Sequence, residues 1–134
     1  GHVLDSTITK VMTRANRKII MRGQGNEKRD FLHISDLLRF VELVIGRTDH
    51  RYDVFNVGLG RSISVKELTE KIIAISEKEL AIEWDTSQPS SDTRILIDTG
   101  KAERILGWRP LIDIDEGIRQ TIDWYLKNKG SADA

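Results

Sequence analysis

The segment Arg29-Asp-Phe-Leu-His-Ile-Ser-Asp36 marks the change from an extended stretch to a helix. Apolar residues alternate with His33 at its centre, and Ser35 has a side-chain oxygen that can cap a helix start. An apolar stripe at helical spacing follows it: Leu37, Leu38, Val41, Val44 and Ile45. Gly46 favours an end to that helix. The segment therefore predicts an extended entry followed by a helix from Ser35 to about Gly46.

Helices and strands alternate on both sides of this segment. The predicted strands are 18–22, 54–57, 81–84 and 95–97. The predicted helices are 5–16, the one after Ser35, and three more that begin at Ser64, after Thr99 and at Asp113. Ser64 with Glu67 and Asp113 with Glu116 have the spacing of reciprocal capping pairs. Such alternation is typical of parallel strands joined by helical crossovers, but these strands are few and scattered. We therefore predict an α/β fold with an incomplete doubly wound sheet.

Composition limits the possible size and partners of the protein. A chain of 134 residues with 39% hydrophobic side chains forms one domain or part of one, and it is too apolar for a disordered chain. It has 21 basic and 21 acidic residues, so its formal net charge is zero. A non-specific nucleic-acid binder needs a cationic excess to displace counterions. We therefore expect no nucleic-acid partner.

Several kinds of chemistry are excluded by what the sequence lacks. Without cysteine there is no disulfide, thiolate metal site or thiol nucleophile, and the three histidines have no ligand spacing. The longest apolar run is four residues, 72–75, whereas a bilayer span needs about 20. We predict no membrane span, no secretory signal and a cytoplasmic location. Gly58-Leu-Gly60 lacks the third glycine of a dinucleotide-binding loop and is predicted to be a turn, and His33 is predicted to be structural.

Basic residues concentrate between positions 9 and 30, a segment with seven basic and two acidic residues. Arg29 directly precedes the extended stretch, and Arg94 precedes the predicted strand 95–97. Guanidinium groups held by rigid elements are suited to clamping phosphates. The alternatives are that these side chains are solvated surface cations, or that Arg94 makes a surface ion pair with Asp92 or Asp98.

Four segments, taken together, resemble the extended short-chain dehydrogenase/reductases that act on nucleotide sugars. The segments are Arg29–Asp36; Phe55–Gly60 with Ser64–Leu68; Asp98–Pro110; and Glu116–Tyr125. Trp84–Pro89 with Arg94 looks most like the GDP-fucose synthases in that family, which also contains UDP-glucose 4-epimerases and nucleoside-diphosphate-hexose 4,6-dehydratases. The resemblance implies that residues 1–134 are a single substrate-binding, C-terminal portion of a Rossmann-type fold, with the N-terminal dinucleotide-binding domain absent.

The resemblance also implies a nucleotide-sugar site for a UDP-, GDP- or dTDP-sugar. Arg29 would contact the substrate pyrophosphate, Arg94 would share its charge, and Lys10 is a third candidate cation. Ile20, Met21 and Arg22 occupy the stretch whose backbone meets the nucleobase in relatives. We expect the guanidinium groups of Arg29 and Arg94 to converge on one cavity.

The resemblance implies NAD or NADP as the cofactor of the complete enzyme. The family's catalytic Tyr-x-x-x-Lys pair is missing, because Tyr125 with Lys129 lies at the chain end and matches by coincidence. We therefore predict no catalytic, cofactor-binding or metal-binding residue here, and no turnover by this chain alone. In relatives the region 31–60 packs on the dinucleotide-binding sheet. Without that sheet its apolar faces would be exposed, and large exposed apolar patches favour association, so we expect a homo-oligomer. The alternatives are a non-catalytic ligand-binding or scaffold domain and, ranked last, an anion- or nucleic-acid-binding surface at residues 9–30.

Overall fold

A computed structural model describes residues 3–13, 17–47, 52–87 and 92–128, which fold into helices and short strands. The elements in chain order are α1 (Val3–Thr13), β1 (Lys18–Arg22), β2 (Lys28–Asp30), α2 (Ile34–Ile45), β3 (Ser62–Ser64), α3 (Val65–Ile75), β4 (Ala81–Asp85), α4 (Gly100–Leu106) and α5 (Ile114–Asn128). The predicted α/β class with few strands is confirmed. None of these helices is long and apolar enough to cross a membrane.

Within the described residues, the strands form two small sheets of two strands each. β1 and β4 are parallel, from Lys18 beside Ala81 to Arg22 beside Asp85, and α3 lies on the connection between them. β2 and β3 are antiparallel, with Lys28 beside Ser64. A single parallel bridge joins Lys28 to Arg94. This arrangement matches the incomplete parallel sheet expected from the alternation.

The main core lies between β1 and the three helices α1, α3 and α5. Its buried residues recur at helical spacing, which is why the sequence pattern found these helices: Ile8, Val11, Leu68, Ile72, Ile114, Ile118 and Ile122. A second, smaller core surrounds Trp108, with Ala102 and Leu106 of α4. The Phe40 ring meets the Trp108 ring edge-on at 5.6 Å between centroids.

Two predicted strands are wrong, and two short strands were missed. Residues 54–57 and 95–97 form no strand, although Arg94 makes the one bridge to Lys28. Composition gave both segments a strand-like pattern, but a strand also needs a neighbour to pair with. The two strands that the pattern missed have three residues each. β2 consists of polar residues alone, and β3 is Ile63 between two serines, so no hydrophobic alternation marks either strand.

Helix boundaries differ from prediction by a few residues. α1 begins at Val3 instead of residue 5, and its predicted end at 14–16 lies outside the described residues. α2 is capped by His33, whose Nδ1 accepts from the Ser35 backbone N–H at 3.3 Å, so Ser35 is not the cap. This contact supports the structural role predicted for His33. Ser64 and Asp113 do accept from the N–H groups of Glu67 and Glu116, at 3.0 and 2.9 Å.

The apolar stripe of α2 is exposed. We call Ile34, Leu37, Leu38, Val41, Val44 and Ile45 the outer face of α2. Ile45 is 74% exposed and Ile34 is 59% exposed, whereas Asp36 is the buried residue of this helix. The sequence pattern correctly predicted the helix, but the stripe does not join either core.

Candidate functional site

The turn that follows β1 is held from two sides. Gly23 and Gly25 both have positive φ angles, which glycine adopts without strain. A Cβ on Gly25 would lie within 3.0 Å of the Trp84 ring, so this ring packs directly onto the turn. The carbonyls of Gly25 and Glu27 accept from the Lys66 and Val65 N–H groups at 3.0 and 2.9 Å. The first turn of α3 thereby fixes the loop that leads into β2.

Arg29 lies on β2 with its guanidinium group partly exposed. Its Nε donates to Oε1 of Glu27 at 3.0 Å, and its Nη2 donates to the same oxygen. A guanidinium group has five N–H donors, so three donors of Arg29 make no hydrogen bond to the described part of the chain. The side chain is 42% exposed. Arg29 can therefore bind an anion through these donors while it keeps its contact with Glu27.

Two acidic residues of the same segment anchor it to the rest of the fold. The Asp30 carboxylate accepts from the N–H groups of Leu59 and Gly60 at 2.6 and 2.9 Å. The Asp36 carboxylate, only 1% exposed, accepts from the Leu111 and Ile112 N–H groups at 3.0 Å each.

Asp36 has two further contacts. Its carboxylate accepts from Arg39 Nη1 at 2.8 Å, and its backbone carbonyl accepts from Trp108 Nε1 at 3.0 Å. Reasoning from the sequence missed both anchors. The signal that could have found them is a pair of carboxylates in and just beyond an apolar stretch, where burial demands polar partners.

Arg94 lies beside β2, but it does not converge with Arg29. The backbone N–H of Lys28 donates to the Thr93 carbonyl at 2.9 Å, and the Lys28 carbonyl accepts from the Ile95 N–H at 3.0 Å. Lys28 and Arg94 are therefore direct neighbours. Bridge partners share a face, and successive residues of a strand alternate. Lys28 and Arg94 therefore share one face, and Arg29 lies on the other. The expected convergence of the two guanidinium groups is not seen, because Arg94 is paired with Lys28 and not with Arg29.

The four remaining predicted residues divide between two sides of β1. Ile20 and Arg22 are exposed, and Met21 is buried on the helix-covered side. Lys10 reaches β1 from α1, where its Nζ donates to the Ile20 carbonyl at 3.1 Å and lies 4.0 Å from the Met21 sulfur. In this arrangement the Lys10 ammonium group joins α1 to β1.

Two surface cavities of the described chain lie away from these residues. The first, of about 240 Å³, is apolar and lies between the 31–34 segment and α5, with His33 and Asp113 among its lining residues. The second, of about 460 Å³, lies beside α2 and includes Arg39 and Arg47. None of the six predicted residues lines either cavity.

The clearest pKa shifts among the described residues are those of two carboxyl groups at the start of α5, Asp113 and Glu116. The Glu116 N–H donates to the Asp113 carboxylate and lowers the pKa of that group below its ordinary value. Hydrogen bonds from Gln120 and Arg119 lower the pKa of Glu116. Both shifts belong to helix capping and local pairing.

The turn at Gly58–Gly60 does not fit a phosphate group. The N–H groups of Leu59 and Gly60, which a phosphate-binding turn would offer, donate to Asp30. A Cβ on Gly58 would lie within 3.0 Å of the Ile97 side chain, so that glycine is explained by close packing. Among these residues, no group of three His, Asp or Glu side chains could hold a metal ion.

Comparison with known proteins shows extensive similarity to nucleotide-sugar enzymes. The family model described as GDP-mannose 4,6 dehydratase matches residues 2–121. GDP-L-fucose synthase 1 of Arabidopsis thaliana is 33% identical over 131 residues, which is 96% of this chain and 40% of that protein. The chain therefore spans about two fifths of the length of this curated relative.

Solved structures show the same similarity in three dimensions. UDP-glucose 4-epimerase of Thermotoga maritima, in a structure with UDP-glucose, superposes with a TM-score of 0.79 at 25% identity, over 96% of this chain and 40% of that one. dTDP-glucose 4,6-dehydratase of Bacillus anthracis, in complex with NAD, has a TM-score of 0.78 at 23% identity, over 96% and 40%. At 23% identity the second match shows the fold alone. With the family model covering most of the chain, this protein belongs to the extended short-chain dehydrogenase/reductases of nucleotide-sugar metabolism.

Proposed function

We propose that this chain is the nucleotide-sugar-binding part of an NAD(P)-dependent epimerase, dehydratase or reductase. In this proposal residues 1–134 are the C-terminal portion of the enzyme, and the dinucleotide-binding portion is supplied outside it. The substrate is a UDP-, GDP- or dTDP-sugar. The relative crystallised with UDP-glucose supports this substrate class, and the relative in complex with NAD supports the cofactor of the complete enzyme.

The observation that carries the proposal is the anchored position of Arg29. Asp30 and Asp36 fix the segment through backbone N–H groups, and the Arg29 guanidinium group stays partly exposed. A cation held in place loses little conformational entropy when it binds a diphosphate, so its binding energy can orient the sugar. Arg29 is therefore the principal diphosphate contact that we propose.

The other predicted residues have supporting parts in this proposal. Ile20, Met21 and Arg22 offer their backbone to the nucleobase, and Lys10 holds that strand through the Ile20 carbonyl. Arg94 on the opposite face from Arg29 contributes its charge at longer range.

Ligand-induced stabilisation tests the proposal directly. A nucleotide sugar that binds the folded chain raises its melting temperature by mass action, and binding by this part alone calls for about 10 mM ligand. We expect one of the UDP-, GDP- and dTDP-sugars to raise it, and Arg29→Ala to remove the increase. Arg104→Ala, which changes an exposed arginine of α4, is the matched control and should keep it. No increase with any of the three, or an equal one in Arg29→Ala, would refute the proposal.

The chain alone is predicted not to transfer hydride. The N–H groups of the turn at 59–60 donate to Asp30, so we expect this turn to hold no dinucleotide, and the nicotinamide carries the redox chemistry in such enzymes. Mixing the chain with NAD or NADPH and candidate sugars should leave the absorbance at the reduced-nicotinamide band constant. Measurable turnover would contradict this prediction and favour a complete active site here.

Self-association and location are further parts of the proposal. The outer face of α2 is a large exposed apolar surface, which favours a homo-oligomer of the isolated chain. Light scattering should find a species larger than the monomer, and a clean monomer would contradict this expectation. The cytoplasmic location stays a prediction. A non-catalytic ligand-binding or scaffold domain is the alternative, and an upstream sequence that has a dinucleotide-binding loop and a Tyr-x-x-x-Lys pair would decide for the enzyme.

A further inference from the structure

The guanidinium group of Arg29 is held by one of its edges. Its Nε and Nη2 atoms both donate to Oε1 of Glu27, with 3.0 Å between Nε and that oxygen. These two donors form the side of the planar group, so its end, which consists of Nη1 and the second hydrogen of Nη2, stays open. Two parallel N–H groups at that end match two oxygens of one phosphate group. The contact with Glu27 therefore sets which edge of Arg29 can meet an anion.

The position of Glu27 is itself fixed by the backbone. Its carbonyl oxygen accepts from the Val65 N–H at 2.9 Å, at the start of α3. Glu27 and Arg29 are two residues apart where β2 begins, and alternation along a strand places such side chains on one face. The residue beside Arg29 on β3 is Ile63, which is buried and has no polar side-chain atom. Glu27 is thus the acidic neighbour of Arg29 on this face, and its place does not depend on its own side chain.

A carboxylate beside a phosphate site opposes negative charge in that site. The side chains of Glu27 and Arg29 are both partly exposed, so water screens this repulsion only in part. The Coulomb energy is proportional to the charge of the ligand, so the repulsion doubles when the charge of the phosphate doubles. A phosphate that carries a sugar has one negative charge, whereas the terminal phosphate of a nucleoside diphosphate has up to two near neutral pH. The two side chains can therefore distinguish a nucleotide sugar from the free nucleoside diphosphate.

We propose that Glu27 is a positioning and specificity-determining residue of the nucleotide-sugar site. It turns the open end of Arg29 toward the phosphate that carries the sugar, and its charge disfavours the free nucleoside diphosphate at the same place. An enzyme that acts on an intact nucleotide sugar gains from this selection, because the free diphosphate has the same base and competes for the site. The inference rests on the proposed function, since it takes Arg29 to be the diphosphate contact.

Substitution of Glu27 by glutamine tests the charge effect. Glu27→Gln removes the charge and keeps an acceptor oxygen for Arg29. Titrations followed by NMR give the dissociation constants of the nucleotide sugar that stabilises the chain and of its nucleoside diphosphate, at about pH 8. We expect Glu27→Gln to tighten binding of the sugar about threefold and of the diphosphate about tenfold, which is close to the square of that factor. Glu70→Gln, exposed on α3, is the matched control and should change neither constant.

Substitution by alanine tests the positioning effect. Glu27→Ala removes the acceptor oxygen as well as the charge, so the Arg29 Nε–H loses its hydrogen bond. We expect this proton to exchange with water about tenfold faster in Glu27→Ala than in the wild type, and at most about threefold faster in Glu27→Gln. The backbone carbonyl of residue 27 is unchanged in both variants, so their melting temperatures without ligand should stay near that of the wild type.

The possible failures of this inference and of the proposed function are distinguishable. An unchanged ratio of the two dissociation constants in Glu27→Gln, with the sugar still bound and Arg29→Ala still abolishing its binding, would overturn the inference and leave the proposed function intact. An Arg29 Nε–H signal unaffected by Glu27→Ala would overturn the positioning role. A large fall in the melting temperature of both Glu27 variants would assign Glu27 to stability and overturn the inference. Absence of binding by either ligand to the wild type would refute the proposed function and the inference with it.

Discussion

At the scale of single residues, buried carboxylates hold the fold together. Asp36 joins α2 to the segment that precedes α5 through the N–H groups of Leu111 and Ile112. Asp30 does the same for the turn at 59–60. The sequence motif that includes them could be recognised, but their partners could not, because those N–H groups lie about 30 and 75 positions further along the chain.

Removal of the Asp36 carboxylate should be costly. Asp36→Ala leaves two N–H groups without an acceptor, and we expect it to lower the free energy of unfolding by about 3 kcal/mol. Asp36→Asn keeps one acceptor oxygen and should lose less. Asp123→Ala, exposed on α5, should change it by less than about 0.5 kcal/mol. Urea unfolding measures all three, and equal effects of Asp36→Ala and Asp123→Ala would refute the anchoring role.

The acid pair at the start of α5 should make stability depend on pH. Asp113 and Glu116 have pKa values below their ordinary values of 3.8 and 4.5 in the folded chain. Their stabilising effect is therefore complete above those ordinary values and is lost as the pH falls through the lower folded-state values. Melting temperatures of the wild type and Asp113→Ala should differ near pH 6 and converge below about pH 3. A difference that persists in acid would contradict this account.

At the scale of elements, local signals predicted the helices better than the strands. Apolar spacing and capping residues lie within one helix, so α3 and α5 could be predicted from their own segments. Strands need partners from distant parts of the chain. Residues 54–57 have strand-like composition without a neighbour, and β2 is a strand of three polar residues because β3 pairs with it.

Capping of α3 predicts a difference between two helix starts. Ser64 accepts from the Glu67 N–H, so Ser64→Ala should lower the free energy of unfolding by about 1 kcal/mol. Thr99 precedes α4 without a side-chain capping bond. Thr99→Ala is the matched control and should have a smaller effect. Thermal unfolding of both variants decides the matter, and the reverse order would show that the cap contributes little.

The turn after β1 predicts a second contrast, between two glycines with positive φ. Gly25→Ala places a methyl group against the Trp84 ring as well as straining the backbone, and should cost about 3 kcal/mol. Gly107 has a φ of 65° and open space around it, so Gly107→Ala should cost about 1 kcal/mol. Chemical denaturation gives both values. Similar losses of unfolding free energy in the two variants would mean that the Trp84 ring moves aside at little cost.

At the scale of the whole molecule, the family motif predicted the fold class, and the structure changed the picture of the site. Arg29 lies on an anchored segment as expected, but Arg94 lies on the opposite face, and Lys10 is bonded to the Ile20 carbonyl. No sequence pattern reveals a one-residue offset between strands. Periodicity alone marks the apolar stripe of α2 without naming what covers it, and only the resemblance implied that the region 31–60 packs on a sheet outside this chain.

The central claim is that the chain binds a nucleotide sugar through Arg29 and the end of β1, and amide chemical-shift mapping tests it most directly. During titration with UDP-, GDP- and dTDP-sugars, we expect the largest shifts at residues 20–22 and 28–30, with smaller ones at Arg94. Arg29→Ala should reduce them all. Shifts confined to the apolar cavity beside α5, or no shifts at about 10 mM ligand, would contradict the claim.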